Sequence, residues 1–420
     1  MAKRSLNSIP GVRKKRIDAT SRLCIIVLGY LVRGPMGGLA WHHLQYVMGL
    51  DRLGHDVYFV EDSEDYPSCY NPVTGITDID PTYGLEFVKN IFEKVGLDTR
   101  WAYYDAHTRR WSGPCGDQIP SICSNTDLLL NISGINPLRP WFLKVPVRLL
   151  IDTDPVFTQI KHLKHPENKE RALQHTAFFS FGENIRLSSC SIPNDGLPWR
   201  PTRQPIVLDA WPITPGPQEG KFTTVMQWKS YRGGTYNGQR FGMKSDSFES
   251  FLALPHTTGP IFELATHVPP SIQTLMVENH WATLDPKELS RDPWTYQEYI
   301  KQSKGEFSLA KHGYVVTRSG WFSERSAGYL ASGRPVLGHD TGFSDWLKTD
   351  SGVIPFNTPE EALAGIDEIN RNYTYHCRTA RVIAEEYFDA RRVLTDLLEQ
   401  SFAHSEVVSQ VSPKSITHNG

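Results

Sequence analysis

The sequence predicts an α/β protein of two domains, each built on a parallel sheet. A strand–helix–strand unit opens the chain after residue 22, and the same alternation restarts after a proline-rich stretch at residues 193–217. The length of 420 residues leaves room for two separate cores.

The elements follow in order. Residues 23–28 are a continuous apolar run, the pattern of a strand buried on both faces. A glycine-rich turn, Gly34-Pro35-Met36-Gly37-Gly38, leads into helical spacing over residues 39–53, closed by Gly54. Residues 57–60 form the next strand and end in Glu61-Asp62. Because a helix separates the two strands, they should run parallel. Further strands are expected at 128–132, 147–151 and 177–181, and the first two end in polar or glycine residues. Such carboxyl ends line the ligand crevice of open parallel sheets.

Residues 193–217 read as a linker. Beyond it, a strand is expected at 222–228 and a helix at 245–254, followed by apolar runs at 307–310 and 314–317. A helix at 323–332 and strands at 335–338 and 353–356 come next. Thr358 should cap a helix reaching residue 370, with Pro359 at its first position. One long helical pattern covers 376–399, and the polar tail after Ser401 is expected to be disordered, as is the basic leader around Arg13-Lys14-Lys15-Arg16.

Bulk composition narrows the function classes. A net charge of −2 gives no basic excess for nucleic acid and no acidic excess for disorder. The six cysteines are scattered without a CxxC pair, which argues against a zinc site and a disulfide framework. The leader has no apolar h-region, and no apolar run reaches the ~20 residues of a membrane span, so the expected compartment is the cytoplasm.

Four groups of residues carry candidate chemistry. Gly37 and Gly38 precede a helix, where the backbone can approach a ligand and free N–H groups favour negative charge. On that helix Leu39, His43, Tyr46, Val47 and Leu50 share one stripe, which assigns His43 to the core. His42 sits at the stripe's edge and is the candidate general base for a hydroxyl acceptor. The string from Thr317 to Ser326 is read as joining a strand to a helix. Arg318, Ser319, Gly320, Trp321, Ser323 and Glu324 are its candidate contacts to a diphosphate. Asp340, Thr341 and Gly342 follow a strand, where a carboxylate can hold sugar hydroxyls. Arg240 and Lys244 stand near a helix start, where cations oppose the helix dipole, so their placement suggests an anion. Each group also has a plain reading as a turn, a cap or a solvated pair.

Together these residues resemble the GT-B glycosyltransferases. The amino-terminal half matches through Gly37-Gly38, His42 and Gly54-His55-Asp56-Val57. The carboxyl-terminal half matches through residues 320–323, Gly333-Arg334-Pro335-Val336 and Asp340-Thr341-Gly342. Residues 380–398 resemble the terminal helices that cross back over the first domain, and Arg240 with Lys244 resemble the phosphate-binding pair of retaining members. One departure stands out: Gly328 occupies the place of the usual ribose-binding glutamate.

The resemblance implies two Rossmann-like domains facing a cleft: an acceptor domain at 22–205 and a donor domain at 206–375. Terminal helices should lie at 376–401, between the leader at 1–21 and the tail at 402–420. It implies transfer of a sugar from a nucleotide-diphosphate sugar to an acceptor that the sequence does not name, with the donor as substrate and no further cofactor. A required metal is not expected; Asp152-Thr153-Asp154 is the one candidate pair for one. The rival readings are a nucleotide-sugar epimerase, a non-catalytic nucleotide-sugar-binding protein, and a glycosyltransferase that modifies nucleic acid through the basic leader. A dinucleotide oxidoreductase lacks its fingerprint here.

Overall fold

The computed structural model describes residues 21–410, with 404–410 described by backbone alone. The basic leader around Arg13-Lys14-Lys15-Arg16 and the tail beyond residue 410 lie outside the described residues.

The first sheet is centred on Cys24–Leu28, whose last four residues are buried, as the unbroken apolar run requires. Asp56–Asp62 pairs with one side of it and Leu128–Ile132 with the other, both in parallel. Beyond Leu128–Ile132 come Val147–Asp152, Ala177–Ser180 and Arg200–Pro201, also parallel. On the other flank Trp101–Asp105 is parallel to Asp56–Asp62, and Arg110–Ser112 closes the edge antiparallel. The chain reverses its direction of travel at Cys24–Leu28, so the crevice at the carboxyl ends opens there.

The second sheet is wholly parallel. Its order is Ala282–Leu284, Phe262–Ala265, Phe222–Val225, Gly305–Ser308, Val336–His339 and Val353–Phe356. The switch lies between Phe222–Val225 and Gly305–Ser308.

The helix Gly37–Arg52 covers the first sheet and packs on two others, Pro293–Gln302 and Ala390–Gln410. The helix Glu324–Ala331 covers the second sheet and packs on Tyr373–Tyr387. The carboxyl-terminal segment therefore leaves the second domain and ends against the first. Among the described residues, no helix is long and apolar enough to cross a membrane.

Several expectations are corrected. The pattern over 376–399 is two helices, Tyr373–Tyr387 and Ala390–Gln410, and the second continues well past Ser401. The break falls at Phe388-Asp389, where the chain changes domain. The Ile206 N–H donates to the Phe388 carbonyl at 2.7 Å, and the Ala390 N–H donates to the Ile206 carbonyl at 2.8 Å. Backbone groups freed by the bend are thus paired by another segment. That segment is part of the expected linker, and it is packed: Trp199 and Trp211 are buried. The second domain's first strand stops at Val225, and the helix expected at 245–254 is three short turns, Lys244–Phe248, Glu249–Phe251 and Leu254–Thr258. The run at 314–317 belongs to a helical turn, His312–Val316, so the Thr317–Ser326 string joins two helices.

Candidate functional site

The carboxyl ends of the second sheet carry a cationic group. Ser323 caps the Glu324–Ala331 helix by accepting from the Arg325 N–H at 3.2 Å, and this fixes Arg325 in the first turn. Arg325 then points to the switch. It donates from Nη1 to the Val225 carbonyl at 2.8 Å and from Nη2 to Ser308 Oγ at 3.1 Å. Val225 and Ser308 are the last residues of the two strands flanking the switch. Glu306, fully buried, pairs with Arg325 Nε and balances its charge.

Lys244, at the start of Lys244–Phe248, is only 9% exposed, and the charges of this group act on it. Among the described residues its amine has neither a hydrogen bond nor an ion pair. Burial, then the neighbouring Arg325 charge, hold its pKa well below the ordinary lysine value, with Lys311 adding to the effect and Glu324 opposing it. A buried cation beside other cations is costly unless an anion joins them. Arg240 does not share this place. It stands on the hairpin Gly234–Tyr236/Gln239–Phe241, with its side chain 72% exposed and paired with Asp246.

The string from Arg318 to Trp321 forms the seam between the domains. Arg318 has a left-handed backbone (φ 48°) and holds Asp345 with both carboxylate oxygens, at 2.8 and 2.9 Å. Ser319 is buried and donates to the Tyr314 carbonyl. Gly320, at φ 74°, donates its N–H to Thr341, and a Cβ there would lie 2.7 Å from Asn184 of the first domain. Its close approach is to protein. Trp321 donates to the Thr153 carbonyl at 3.3 Å. Asp340 is spent on its own turn: it accepts from the Gly342 and Ser344 N–H groups and from the Ser344 hydroxyl. Thr341 donates to the Trp321 carbonyl, and the Gly342 carbonyl accepts from Asn184 at 2.8 Å.

On the first domain, Gly37 and Gly38 also face protein. The Gly37 N–H donates to the Ser290 carbonyl at 2.6 Å, and a Cβ on Gly37 would lie 2.2 Å from the Asp292 carbonyl oxygen. Gly38 packs on the Tyr296 ring. His43 is buried, bonded through Nδ1 to the Leu39 carbonyl at 2.9 Å and through Nε2 to the Tyr30 N–H at 3.3 Å. His42 is different. Its ring touches His43, Tyr46 and Phe181, but its nitrogens have no hydrogen-bond partner among the described residues. It lines a small cavity with Gly38, Gln45, Trp211, Tyr296, Glu324 and Arg325. Burial lowers its pKa and Glu324 partly restores it, so the ring is neutral near pH 7. The structure thus brings His42, Glu324, Arg325 and Lys244 toward one region, and leaves Arg240, Arg318 and Asp340 in paired positions.

The candidate metal pair is filled with donors. Asp152 accepts from Thr158, Gln159, Ser180 and the Asp154 N–H. Asp154 accepts from Lys311 Nζ at 2.8 Å and from the hydroxyls of Tyr231 and Tyr314.

No protein-family model matches the chain, and no curated protein matches it. Solved structures do. One is an alpha-glucosyltransferase in complex with UDP and a 13-mer DNA containing an HMU base, with a TM-score of 0.53, 11% identity, and coverage of 91% of this chain and 100% of that one. Another is an alpha-glucosyltransferase with UDP and a 13-mer DNA containing a central A:G mismatch, with a TM-score of 0.51, 12% identity, and coverage of 90% and 98%. A third is an alpha-glucosyltransferase (AGT) in complex with UDP, with a TM-score of 0.51 and 11% identity, covering 90% and 98%. This is the GT-B fold. At such identities the likeness is one of architecture, and the residues must be judged on their own geometry.

Within the GT-B frame, Gly328 has a physical reason. A Cβ there would lie 3.1 Å from the Trp211 ring, so the indole packs on the helix where a longer side chain would stand. Sequence reasoning did not single out Arg325, Lys311, Tyr231 or Glu306. Arg325 had a faint signal, two residues after a serine cap. The other three are set only by contacts across 80 residues or more, or by pairing with Arg325.

Proposed function

We propose that this chain is a glycosyltransferase that takes a sugar from a nucleoside-diphosphate sugar, with the diphosphate seated on Lys244 and Arg325. The observation that carries the reading is the unpaired, buried Lys244 amine beside an arginine anchored at the second sheet's switch point. A diphosphate supplies the missing counter-charge, and it gains more negative charge as the glycosidic bond breaks. Cations fixed in a water-poor site then stabilise the leaving group more than the bound donor. His42 is a neutral imidazole in the cavity that Arg325 also lines, and it acts as the base for the acceptor hydroxyl. Glu324 lies in that cavity too and is suited to a sugar hydroxyl. The acceptor is a hydroxyl-bearing molecule that enters from the first domain. The solved structures of this fold that hold UDP make UDP the first ligand to test.

The experiment is calorimetry with UDP and with uridine, on wild type and on Lys244→Met, which keeps the buried volume. A charge-assisted contact to phosphate is worth ~1.5–3 kcal/mol, so UDP affinity should fall by ~10- to 150-fold while uridine binding stays. Arg240→Ala should change neither. His42→Ala should keep UDP binding and lose hydrolysis or transfer from a UDP-sugar. Equal loss of UDP and uridine in Lys244→Met, or loss of neither, would remove the diphosphate from this place.

A further inference from the structure

The second domain presents three donors to one point. Lys311 Nζ, the Tyr231 hydroxyl and the Tyr314 hydroxyl all reach the Asp154 carboxylate, Lys311 at 2.8 Å. Lys311 also donates to the Tyr231 hydroxyl at 3.0 Å. Its ammonium lies 4.5 to 5.3 Å from the ring centres of Tyr231, Phe157 and Tyr314. Lys311 and Tyr314 are buried. This is a built anion seat: a desolvated ammonium, two phenol hydroxyls and aromatic walls. All three donors belong to the second domain, and the carboxylate that fills the seat comes from the first.

Lys311 is also one of the charges that act on Lys244. Val156, a β-branched residue, has φ 76°, a left-handed backbone that such side chains avoid. Trp321 holds the neighbouring Thr153 carbonyl, so the whole Thr153–Asp154 turn is clasped to the second domain.

We propose that Lys311, Tyr231 and Tyr314 form a phosphate-binding site, that Asp154 occupies it as a stand-in ligand, and that an incoming phosphate displaces Asp154 from it. A carboxylate and a phosphate use the same donors, but the phosphate carries more charge and more acceptor oxygens. Asp154 is a competitor tethered within the molecule. Its removal therefore raises the site's apparent affinity, and its displacement removes one of the contacts between the domains. The donor's diphosphate is the expected source of the phosphate, and that part alone rests on the function proposed above; a free or acceptor-borne phosphate would use the same seat.

The test is titration of Asp154→Asn with inorganic phosphate and with UDP, beside wild type. Asparagine keeps the shape and weakens the competing contact. Phosphate affinity should rise about tenfold, and Lys311→Met in the Asp154→Asn background should abolish the gain. A matching gain for UDP assigns the seat to the donor. A gain for phosphate with none for UDP assigns it to another phosphate, and the seat stands. If no nucleoside diphosphate binds either protein while phosphate gains, the proposed function falls and the seat stands. No gain for phosphate, or a gain that survives Lys311→Met, overturns the proposal. Should Asp154→Asn fail to fold, Lys311→Met alone carries the test: it should lose phosphate binding, and unchanged affinity overturns the proposal.

Discussion

His42 and His43 are neighbours in sequence and opposites in role, because a helix turns successive side chains by about 100°. His43 fits the apolar stripe and lies in the core, and burial pushes its pKa well below 6.5. Burial likewise pushes His175 and His339 down to about 4. These three histidines are neutral when folded and titrate near 6.5 when unfolded. Below that value the unfolded chain binds more protons, so stability is full above about pH 6.5 and falls as pH drops toward 4. Unfolding free energies from urea titrations at pH 7.5 and pH 5 should differ by about 2 kcal/mol for each of His175 and His339. His339→Gln should shrink the difference. A profile flat between those values would show that the rings find protonated partners in the fold.

At the scale of elements, local signals worked where the element closes on itself. Thr358 accepts from the Glu361 N–H at 3.2 Å, and Glu361 accepts from the Thr358 N–H at 3.4 Å, which completes a capping box on Pro359–Arg371. Thr358→Ala should cost about 1 kcal/mol, seen as a lower urea midpoint with turnover unchanged. A loss of several kcal/mol would mean that the cap also holds the neighbouring strand Val353–Phe356. Where an element ends for reasons outside itself, the local reading failed. The break at Phe388-Asp389 has helical residues on both sides and no proline or glycine, and it exists because Ile206 bonds into it.

For the whole molecule, the glycines that suggested a ligand loop serve the meeting of domains. Gly37 touches Asp292, Gly320 touches Asn184, and the Gly342 carbonyl takes the Asn184 amide. Gly37→Ala tests this. Alanine is the better helix former, so circular dichroism should show the helix kept. Its Cβ would stand 2.2 Å from the Asp292 carbonyl oxygen, so the domains should part. X-ray scattering should show a larger radius of gyration than wild type. An unchanged radius with a raised melting temperature would mean that the seam yields without opening.

The sequence by itself determined the two parallel sheets, the strands at 128–132 and 353–356 to the residue, and the core place of His43. These rest on periodicity and caps, which act between residues a few positions apart. It also marked Lys244 and His42, since a buried-helix edge and a cation at a helix start are local anomalies. The tertiary structure decided the rest. It separated Arg240 from Lys244 through a hairpin, spent Asp340 on its own turn, and made Asp152 and Asp154, the candidate metal pair, acceptors of hydrogen bonds from the protein. It also joined Lys311 to Tyr231 and fastened Arg325 to the end of the second sheet's first strand. Hydrogen bonds and charge pairing depend on distance in space, and the residues concerned lie as much as 157 positions apart in the chain, as Lys311 and Asp154 do.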